Sequence, residues 1–422
     1  MSSLLTGMIQ CWTMLKIRFK QEICSAEIKN TGGIAVSEKK LNIAMLGHKH
    51  MLSREGGIEI VVNELATRMS RRGHQVICYD RSTHHVSGDT PLDKRREVAG
   101  VKIIPVWTIE KKGLAAMTSS LAAAILASRS SADVVHIHAE GPAAMCGLIR
   151  LLGKRGASGA KKRVIVTVHG LDWARAKWGG FATKYIRFGE EQAVKNADEI
   201  IVLSKGIQEY FQEKYGRKTV FIPNGVTRPI LRSADEIKKL WGLENNSFVL
   251  FLGRIVPEKG LRYLVEAWNS IKTDKRLVIA GGSSDTEAFM NELQEMARGD
   301  ERVIFTGFQQ GRILEELYSN AYIYCLPSDL EGMPLSLLEA MSYGACCVVS
   351  DIPECAEVVE DKGVMFHKSD VEDLRKTLQN LLDEPDRVEQ YKKNASNFIC
   401  NKYNWDDVVD KTIELYRDMI HE

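Results

Sequence analysis

Tyr322-Ile323-Tyr324-Cys325-Leu326 leads through Pro327 into Ser328-Asp329-Leu330-Glu331-Gly332-Met333-Pro334-Leu335-Ser336-Leu337-Leu338-Glu339. The first five residues are a short apolar run, which reads as a buried strand ending at Leu326. Pro334 suits the first turn of a helix, because its missing N–H would lack a partner there in any case. Gly332 lets backbone approach a ligand closely. The amides from Gly332 to Ser336, including those of Met333 and Leu335, would then be open donors at the positive end of a helix, where phosphate binds readily. Glu331 sits just before that helix end, and Glu339 lies about six residues further on, roughly 9 Å along the helix at the usual rise per residue. A diphosphate at the helix start could therefore have its sugar beside Glu331 and its ribose beside Glu339. Taken singly, each glutamate also fits a surface acid or a helix-start acid.

Strand, tight turn and helix repeat outward from this unit in both directions. Strands are predicted at Asn42–Leu46, Gln75–Tyr79, Val101–Pro105, Val134–Ile137, Val164–Val168 and Glu199–Leu203, with helices around Ile58–Arg72, Leu114–Ala127, Ala143–Leu152 and Phe181–Asn196. A second series predicts strands at Phe248–Leu252, Arg276–Ala280, Val303–Thr306, Tyr322–Leu326 and Cys346–Val349, with helices at Leu261–Ser270, Thr286–Ala297, Arg312–Ser319 and Leu335–Tyr343. Apolar strands alternating with helices imply parallel sheets covered on both faces. The polar stretch Thr227–Asn246 separates the two series. Two doubly wound domains would leave a cleft between the carboxyl ends of their strands.

The 422 residues carry a net charge of +2, and no apolar run is long enough to span a membrane. The total hides an asymmetry: residues 41–228 hold 29 Lys+Arg against 17 Asp+Glu, and residues 229–422 hold 22 against 35. A basic half suits an anionic partner. The nine cysteines form no CxxC pair, which fits small buried side chains in a reducing compartment. Residues 1–40 read as an extension, either poorly ordered or a short amphipathic helix through Leu5, Met8, Ile9, Trp12 and Leu15. Lys16, Arg18 and Lys20 follow the apolar stretch, the wrong order for a secretory signal.

Other strand ends carry candidate chemistry. Gly253-Arg254-Ile255-Val256-Pro257-Glu258-Lys259-Gly260 offers two cations, a planar fork and a mobile point charge, for a leaving diphosphate. Solvated loop cations are the plain alternative. Arg54-Glu55-Gly56-Gly57-Ile58-Glu59 offers a glycine pair for a tight turn under a phosphate or sugar, but it is not the dinucleotide fingerprint. His136-Ile137-His138 and Val168-His169-Gly170 end two strands. His136 and His138 share one face and read as cleft-facing polar residues or as structural histidines. No HExxH or Cys/His cluster marks a metal site, no two aspartates stand two apart, and no P-loop appears.

At these residues the chain resembles the retaining family 4 glycosyltransferases of GT-B fold. The resemblance rests on Glu331 and Glu339 within EGMPLSLLEAMSYG, GRIVPEKG at Gly253–Gly260, IPNGV at Ile222–Val226, GGIE at Gly56–Glu59, and the HIH and VTVHG strand ends. It covers nearly everything from Leu41 onward. It implies an α/β protein of two Rossmann-like domains, with an extension at 1–40, an acceptor-side domain at 41–230, a nucleotide-sugar domain at 231–404 and a helix at 405–422 crossing back to the first domain. It also implies a donor-sugar role for Glu331, diphosphate contacts for Arg254 and Lys259, and ribose contacts for Glu339. His138 would sit near sugar and acceptor, Gly57 under the diphosphate, and Phe308 against the base. The donor is then a nucleotide-diphosphate sugar, with no further cofactor and no metal. The acceptor is a glycan or lipid-linked molecule, an anionic membrane surface is a candidate partner, nucleic acid is not expected, and the location is cytoplasmic. The competing readings are a sugar-nucleotide epimerase, a phosphorylase holding pyridoxal phosphate, and a non-catalytic membrane or nucleic-acid binder.

Overall fold

Continuous apolar strands organise the chain into two parallel sheets. The computed structural model describes residues 40–82, 95–111, 113–174, 180–282 and 287–421. The expectations for residues 1–39 lie outside these.

The first lobe contains β1 (Asn42–Leu46), β2 (Gln75–Arg81), β3 (Glu97–Val98), β4 (Val101–Val106), β5 (Val134–His138), β6 (Arg163–Val168), β7 (Glu199–Val202) and β8 (Val220–Phe221). Their spatial order is β3-β4-β2-β1-β5-β6-β7-β8. All pairs are parallel except β3 with β4, an antiparallel edge. The second lobe contains β9 (Phe248–Leu252), β10 (Arg276–Ala280), β11 (Val303–Gly307), β12 (Ile323–Leu326), β13 (Cys346–Ser350) and β14 (Val364–Phe366). These run in the order β11-β10-β9-β12-β13-β14, all parallel. Central strands such as β5, β12 and β13 are buried along their whole length, which is why they read as unbroken apolar runs. In both lobes the order reverses at the first strand of the series, and such a switch point places the following loops around a ligand crevice.

Several elements differ from the sequence reading. β3, β8 and β14 are only two or three residues long, too short for a periodic signal. The helix read over Ala143–Leu152 is two pieces, Glu140–Ala143 and Cys146–Leu152. The stretch read as a polar separator holds a helix, Glu236–Trp241. Helix Lys205–Tyr215 was not among the expectations, yet its signals are present: Ser204 accepts from the Ile207 amide at 3.3 Å, and Gly216 closes the far end in a left-handed conformation. Helices Pro353–Val359, Val371–Asp383 and Pro385–Lys402 also lie beyond the expectations.

The last helix, Trp405–His421, packs on helix Gly57–Arg71 and β6 of the first sheet. Arg68 reaches Asp406 at 2.9 Å, and Arg72 reaches Asp410 at 3.0 Å. Val226 N donates to Tyr403 O at 2.7 Å where the chain passes between the lobes. Exposed ion pairs of this kind contribute little individually. The apolar face around Val409, Ile413 and Tyr416, all nearly or fully buried, carries most of the attachment.

Candidate functional site

The two lobes meet at the loop between β12 and helix Leu335–Ser342. Gly332 sits so close to the first lobe that a Cβ there would lie 1.8 Å from His169 O and 3.0 Å from Gly170 Cα. Gly57, at the start of helix Gly57–Arg71, faces Leu335 across the same seam. Asn224 holds the loop from the first lobe's side, its side-chain amide donating to Met333 O at 3.3 Å. Gly332, Met333, Pro334 and Leu335 are all buried here. Helix Leu335–Ser342 begins at this point with Pro334 at its cap, which makes no side-chain capping hydrogen bond, so the positive helix end lies at the seam without that cap.

Lys259 Nζ lies 2.5 Å from Glu331 Oε1, and Ser328 Oγ donates to the same oxygen at 2.6 Å. Both side chains are largely buried, at 12% and 9% exposure. The loop after β9 and the loop after β12 thus bring together the predicted diphosphate cation and the predicted sugar carboxylate. Ser328 is a partner the sequence reading did not name.

Glu339 faces the first lobe. Arg54 Nη2 donates to its Oε1 at 3.0 Å, and Tyr318 OH to its Oε2 at 3.1 Å. Burial pushes the Glu339 carboxyl above the ordinary range, with Arg54 and the Tyr318 hydroxyl pulling it back only in part. Arg54 is half-exposed, so its contact with Glu339 is one that solvent can replace. Neither Arg54 nor Tyr318 was tied to Glu339 by the sequence.

Arg254 and Phe308 lie at the ends of β9 and β11, both partly buried. Phe308 Cβ borders Gly282, so these second-lobe strand ends form one wall. Among the described residues, no group of three or more His, Cys, Asp or Glu is placed to hold a metal ion.

On the first lobe, His138 is fully buried, and its Nδ1 lies 3.1 Å from His169 Nε2. Its Nε2 has no hydrogen-bond partner. The next residue, Ala139, adopts φ +85° and ψ 156°, a region that costs a non-glycine residue roughly 1–3 kcal/mol. That turn lets the chain leave β5 and start helix Glu140–Ala143 within one residue. Gly47 makes room for it, since a Cβ there would lie 2.2 Å from His138 O. Below it, Glu140 Oε2 accepts from Asp172 N at 2.7 Å, and Glu190 accepts from Trp173 Nε1 at 2.9 Å. Those bonds dock the loop after β6.

His136 plays a different part. Its ring is hydrogen-bonded at both nitrogens, to Tyr416 OH and Thr167 Oγ1, each at 2.6 Å. It therefore ties the last helix to the floor of the site and lies against His138 with ring centroids 4.1 Å apart. Burial, with some help from His169, pulls the His136 imidazole down to about 3. Burial also pulls His138 far down, with His136, His169 and His48 adding to it. Both rings are neutral in the folded protein at neutral pH. Their folded values lie below the unfolded one, so the unfolded chain takes up protons that the folded chain refuses as pH falls below about 6.5. Unfolding free energy should then drop by up to about 1.4 kcal/mol per pH unit for each ring. Denaturant titrations at pH 7.5 and 5.5 check this. A flat profile for the wild type would contradict it, and His136→Asn should show a shallower dependence.

Two family patterns match the chain: Glycosyltransferase Family 4 over residues 55–228 and Glycosyl transferases group 1 over residues 233–398. A UDP-Gal:alpha-D-GlcNAc-diphosphoundecaprenol alpha-1,3-galactosyltransferase of Escherichia coli is 30% identical over 308 residues, which is 68% of this chain and 76% of that protein. A D-inositol 3-phosphate glycosyltransferase of Gordonia bronchialis is 25% identical, over 86% of this chain and 83% of its own length. Among solved structures, the sucrose-phosphate synthase of Thermosynechococcus elongatus superposes with a TM-score of 0.76 at 20% identity, covering 90% of this chain and 99% of that one. Anabaena HepE in complex with UDP and glucose gives 0.73 at 15% identity, covering 90% and 100%.

Proposed function

The chain belongs to the family 4 glycosyltransferases of GT-B fold, and from that premise we propose that it transfers a sugar with retention, without a metal, from a nucleotide-diphosphate sugar to a glycan or lipid-linked acceptor in surface polysaccharide or glycoconjugate assembly. The observation that carries this reading is the convergence of Lys259, Glu331, Ser328 and an uncapped helix start at the seam between the lobes. As the C1–O bond loosens, negative charge grows on the diphosphate and positive character grows on the sugar. Arg254, Lys259 and the amides from Gly332 to Leu335 meet the first charge. Such preorganised donors act strongly in a dry site. Glu331, held by Ser328 and Lys259, positions the sugar rather than attacking it, while Glu339 takes the ribose and Phe308 borders the base. Gly57 lies under the diphosphate from the first lobe. His138, neutral and with Nε2 unpartnered, is placed to accept or donate one hydrogen bond to sugar or acceptor. The acceptor approaches from the donor's front side, and the departing phosphate takes its proton.

The test is a panel of nucleotide sugars screened for turnover, with the anomeric configuration of the product read by NMR and EDTA present in a parallel series. Retained configuration and EDTA-resistant turnover are expected. An inverted product or complete loss with EDTA would overturn the mechanism. Glu339→Gln should weaken binding of the free nucleoside diphosphate by about tenfold, the scale of a lost charge-assisted hydrogen bond. Glu331→Gln should leave that binding intact and lower turnover. Exchange of the two phenotypes would reverse the placement of ribose and sugar.

A cytoplasmic location at an anionic membrane surface belongs to the same reading. The first lobe holds the basic half of the chain, and Trp107, Phe181 and Phe188 are exposed at 63%, 73% and 48%. Phe181 and Phe188 therefore do not serve the core, although Tyr185 between them is partly covered. Basic stems flanking exposed aromatics suit the headgroup layer. Residues 39–422 should sediment with anionic vesicles at low salt and release at high salt; failure to sediment would favour a freely diffusing acceptor.

A further inference from the structure

Behind His138 the first lobe buries two carboxyl groups that take no part in the transfer step. Glu140 opens helix Glu140–Ala143, two residues past His138, and Glu190 lies within helix Gly180–Asn196. Neither is exposed to solvent. The two helices touch main chain to main chain there, since a Cβ at Gly189 would lie 1.9 Å from Glu140 O. The two carboxyls grip neighbouring residues of one loop. Asp172 N donates to Glu140 Oε2 at 2.7 Å, and Trp173 Nε1 donates to Glu190 Oε2 at 2.9 Å. That loop starts at His169, whose Nε2 lies 3.1 Å from His138 Nδ1 and whose carbonyl leaves no room for a Cβ at Gly332. The pair therefore supports the seam where the lobes meet.

Their remaining oxygens are not equivalent. Glu190 Oε1 accepts from Tyr210 OH and Lys214 Nζ, each at 2.9 Å, and from Tyr215 OH. Several donors, one of them a cation, suit an ionised carboxylate. Glu140 Oε1 is buried with no donor to accept from. A bare carboxylate oxygen there is costly, and a proton on it removes the cost by turning the acceptor into a donor. That proton then lies between the two carboxyls, which hydrogen-bond each other. Burial raises the Glu140 carboxyl well above the ordinary range, with Asp172 and Glu190 adding to it. Burial pushes Glu190 up as well, but bonds from Glu140, Tyr215, Lys214 and Tyr210 outweigh it and hold Glu190 below that range. The other titratable groups around the pair keep their neutral-pH forms. Tyr185 borders Gly141, and burial holds it up at about 12; burial also raises Tyr210 and Tyr215, and His138 is neutral. Arg187 lies over the Trp173 ring at 4.6 Å.

We propose that Glu140 and Glu190 share one proton at neutral pH, as an acid and a carboxylate, and that this pair of positioning residues clamps the loop from His169 to Ala174 beside His138 and Gly332. Two buried carboxyls side by side do not both ionise. The neutral member takes the loop's main chain, and the charged member takes its indole. The consequence for transfer rests on the glycosyltransferase reading above. A loop held in register keeps His138 and the Gly332 turn in place. Losing the clamp lowers turnover and spares nucleotide affinity, because Lys259 and Glu339 belong to the second lobe.

Infrared spectra of the full chain at pH 7.5 test the shared proton. Wild type should show the carbonyl stretch of a protonated carboxyl, and Glu140→Gln should lack it. Glu190→Gln should shift it, as the acid's partner changes from carboxylate to amide. Between the ordinary carboxyl value and the raised one, the folded chain holds a proton that the unfolded chain has lost, so wild-type stability falls as pH rises across that range. Glutamine at 140 keeps an acceptor for the Asp172 amide and a donor for Glu190, and it has no proton to lose. Its unfolding constant relative to wild type should therefore fall by up to about tenfold per pH unit between pH 6 and 8, read from denaturant titrations. Hydrogen exchange at residues 169–174 should stay within twofold of wild type in Glu140→Gln. It should quicken at least about tenfold in Glu140→Ala, which leaves the Asp172 amide unbonded. No protonated-carboxyl band at pH 7.5, an unshifted band in Glu190→Gln, a pH-independent stability ratio, or unchanged loop exchange in Glu140→Ala would overturn the proposal. None of these measurements needs a substrate, so they decide the clamp even if no nucleotide sugar is turned over and the transferase reading fails. With a donor in hand, Glu140→Ala should lower turnover at least about tenfold while UDP affinity stays within twofold, and Glu140→Gln should restore it. Unchanged turnover in Glu140→Ala would overturn the clamp's part in transfer.

Discussion

Lys259→Ala is expected to lower kcat/KM for sugar transfer by about 10²–10³-fold, the usual consequence of removing one donor from a preorganised anion site. The lysine sits on the loop after β9, so its removal does not touch a strand or helix core. It does leave the Glu331 carboxylate, 9% exposed, with Ser328 as its remaining partner. A buried carboxylate deprived of its counter-charge is destabilising, so part of the loss could come from a displaced Glu331. The double variant Lys259→Met with Glu331→Gln separates the two effects. It should regain the wild-type melting temperature while transfer stays low. Steady-state rates at saturating donor, together with thermal melts, check both points. Transfer by Lys259→Ala within twofold of wild type would remove the lysine from the site.

Gly332→Ala should have a comparable effect without any change of charge. The added methyl would lie 1.8 Å from His169 O and 2.6 Å from His169 C. Those are backbone atoms at the end of β6, so they cannot step aside as a flexible side chain would. The lobes must separate at this seam, or the loop must withdraw from the first lobe. A displacement of about 1 Å between reacting groups costs roughly 10²-fold in rate. Nucleoside diphosphate affinity should hold within a few-fold, because Lys259, Arg254 and Glu339 all belong to the second lobe. Turnover and calorimetric binding measured on the same preparation distinguish the two. If transfer survives, closure at Gly332 is not required for chemistry.

How much of this was legible depends on how far apart the interacting residues lie in the chain. The strands β1, β9, β10 and β13 begin and end close to where the apolar runs do, because a strand buried on both faces must be apolar throughout. β3, β8 and β14 escaped because their two or three residues are strands only by virtue of a neighbour to pair with. The long helices Val371–Asp383 and Pro385–Lys402 did leave local marks. Asp370 accepts from the Asp373 amide, and Pro385 stands in a first turn.

The same division runs through the site. The order of residues from Tyr322 to Glu339 determines by itself a strand, a glycine turn and a helix start, since each depends on neighbours within one or two turns of chain. It therefore also determines that two carboxylates, Glu331 and Glu339, stand on either side of that helix start. The tertiary structure alone decided which partners they meet. Arg54 reaches Glu339 across 285 residues, Tyr416 reaches His136 across 280, and Lys259 reaches Glu331 across 72. No periodicity or spacing encodes such pairs. They exist because packing the two sheets and the returning helix holds those segments together, with the entropy cost of closing the long loops met by the buried core rather than by the pairs themselves.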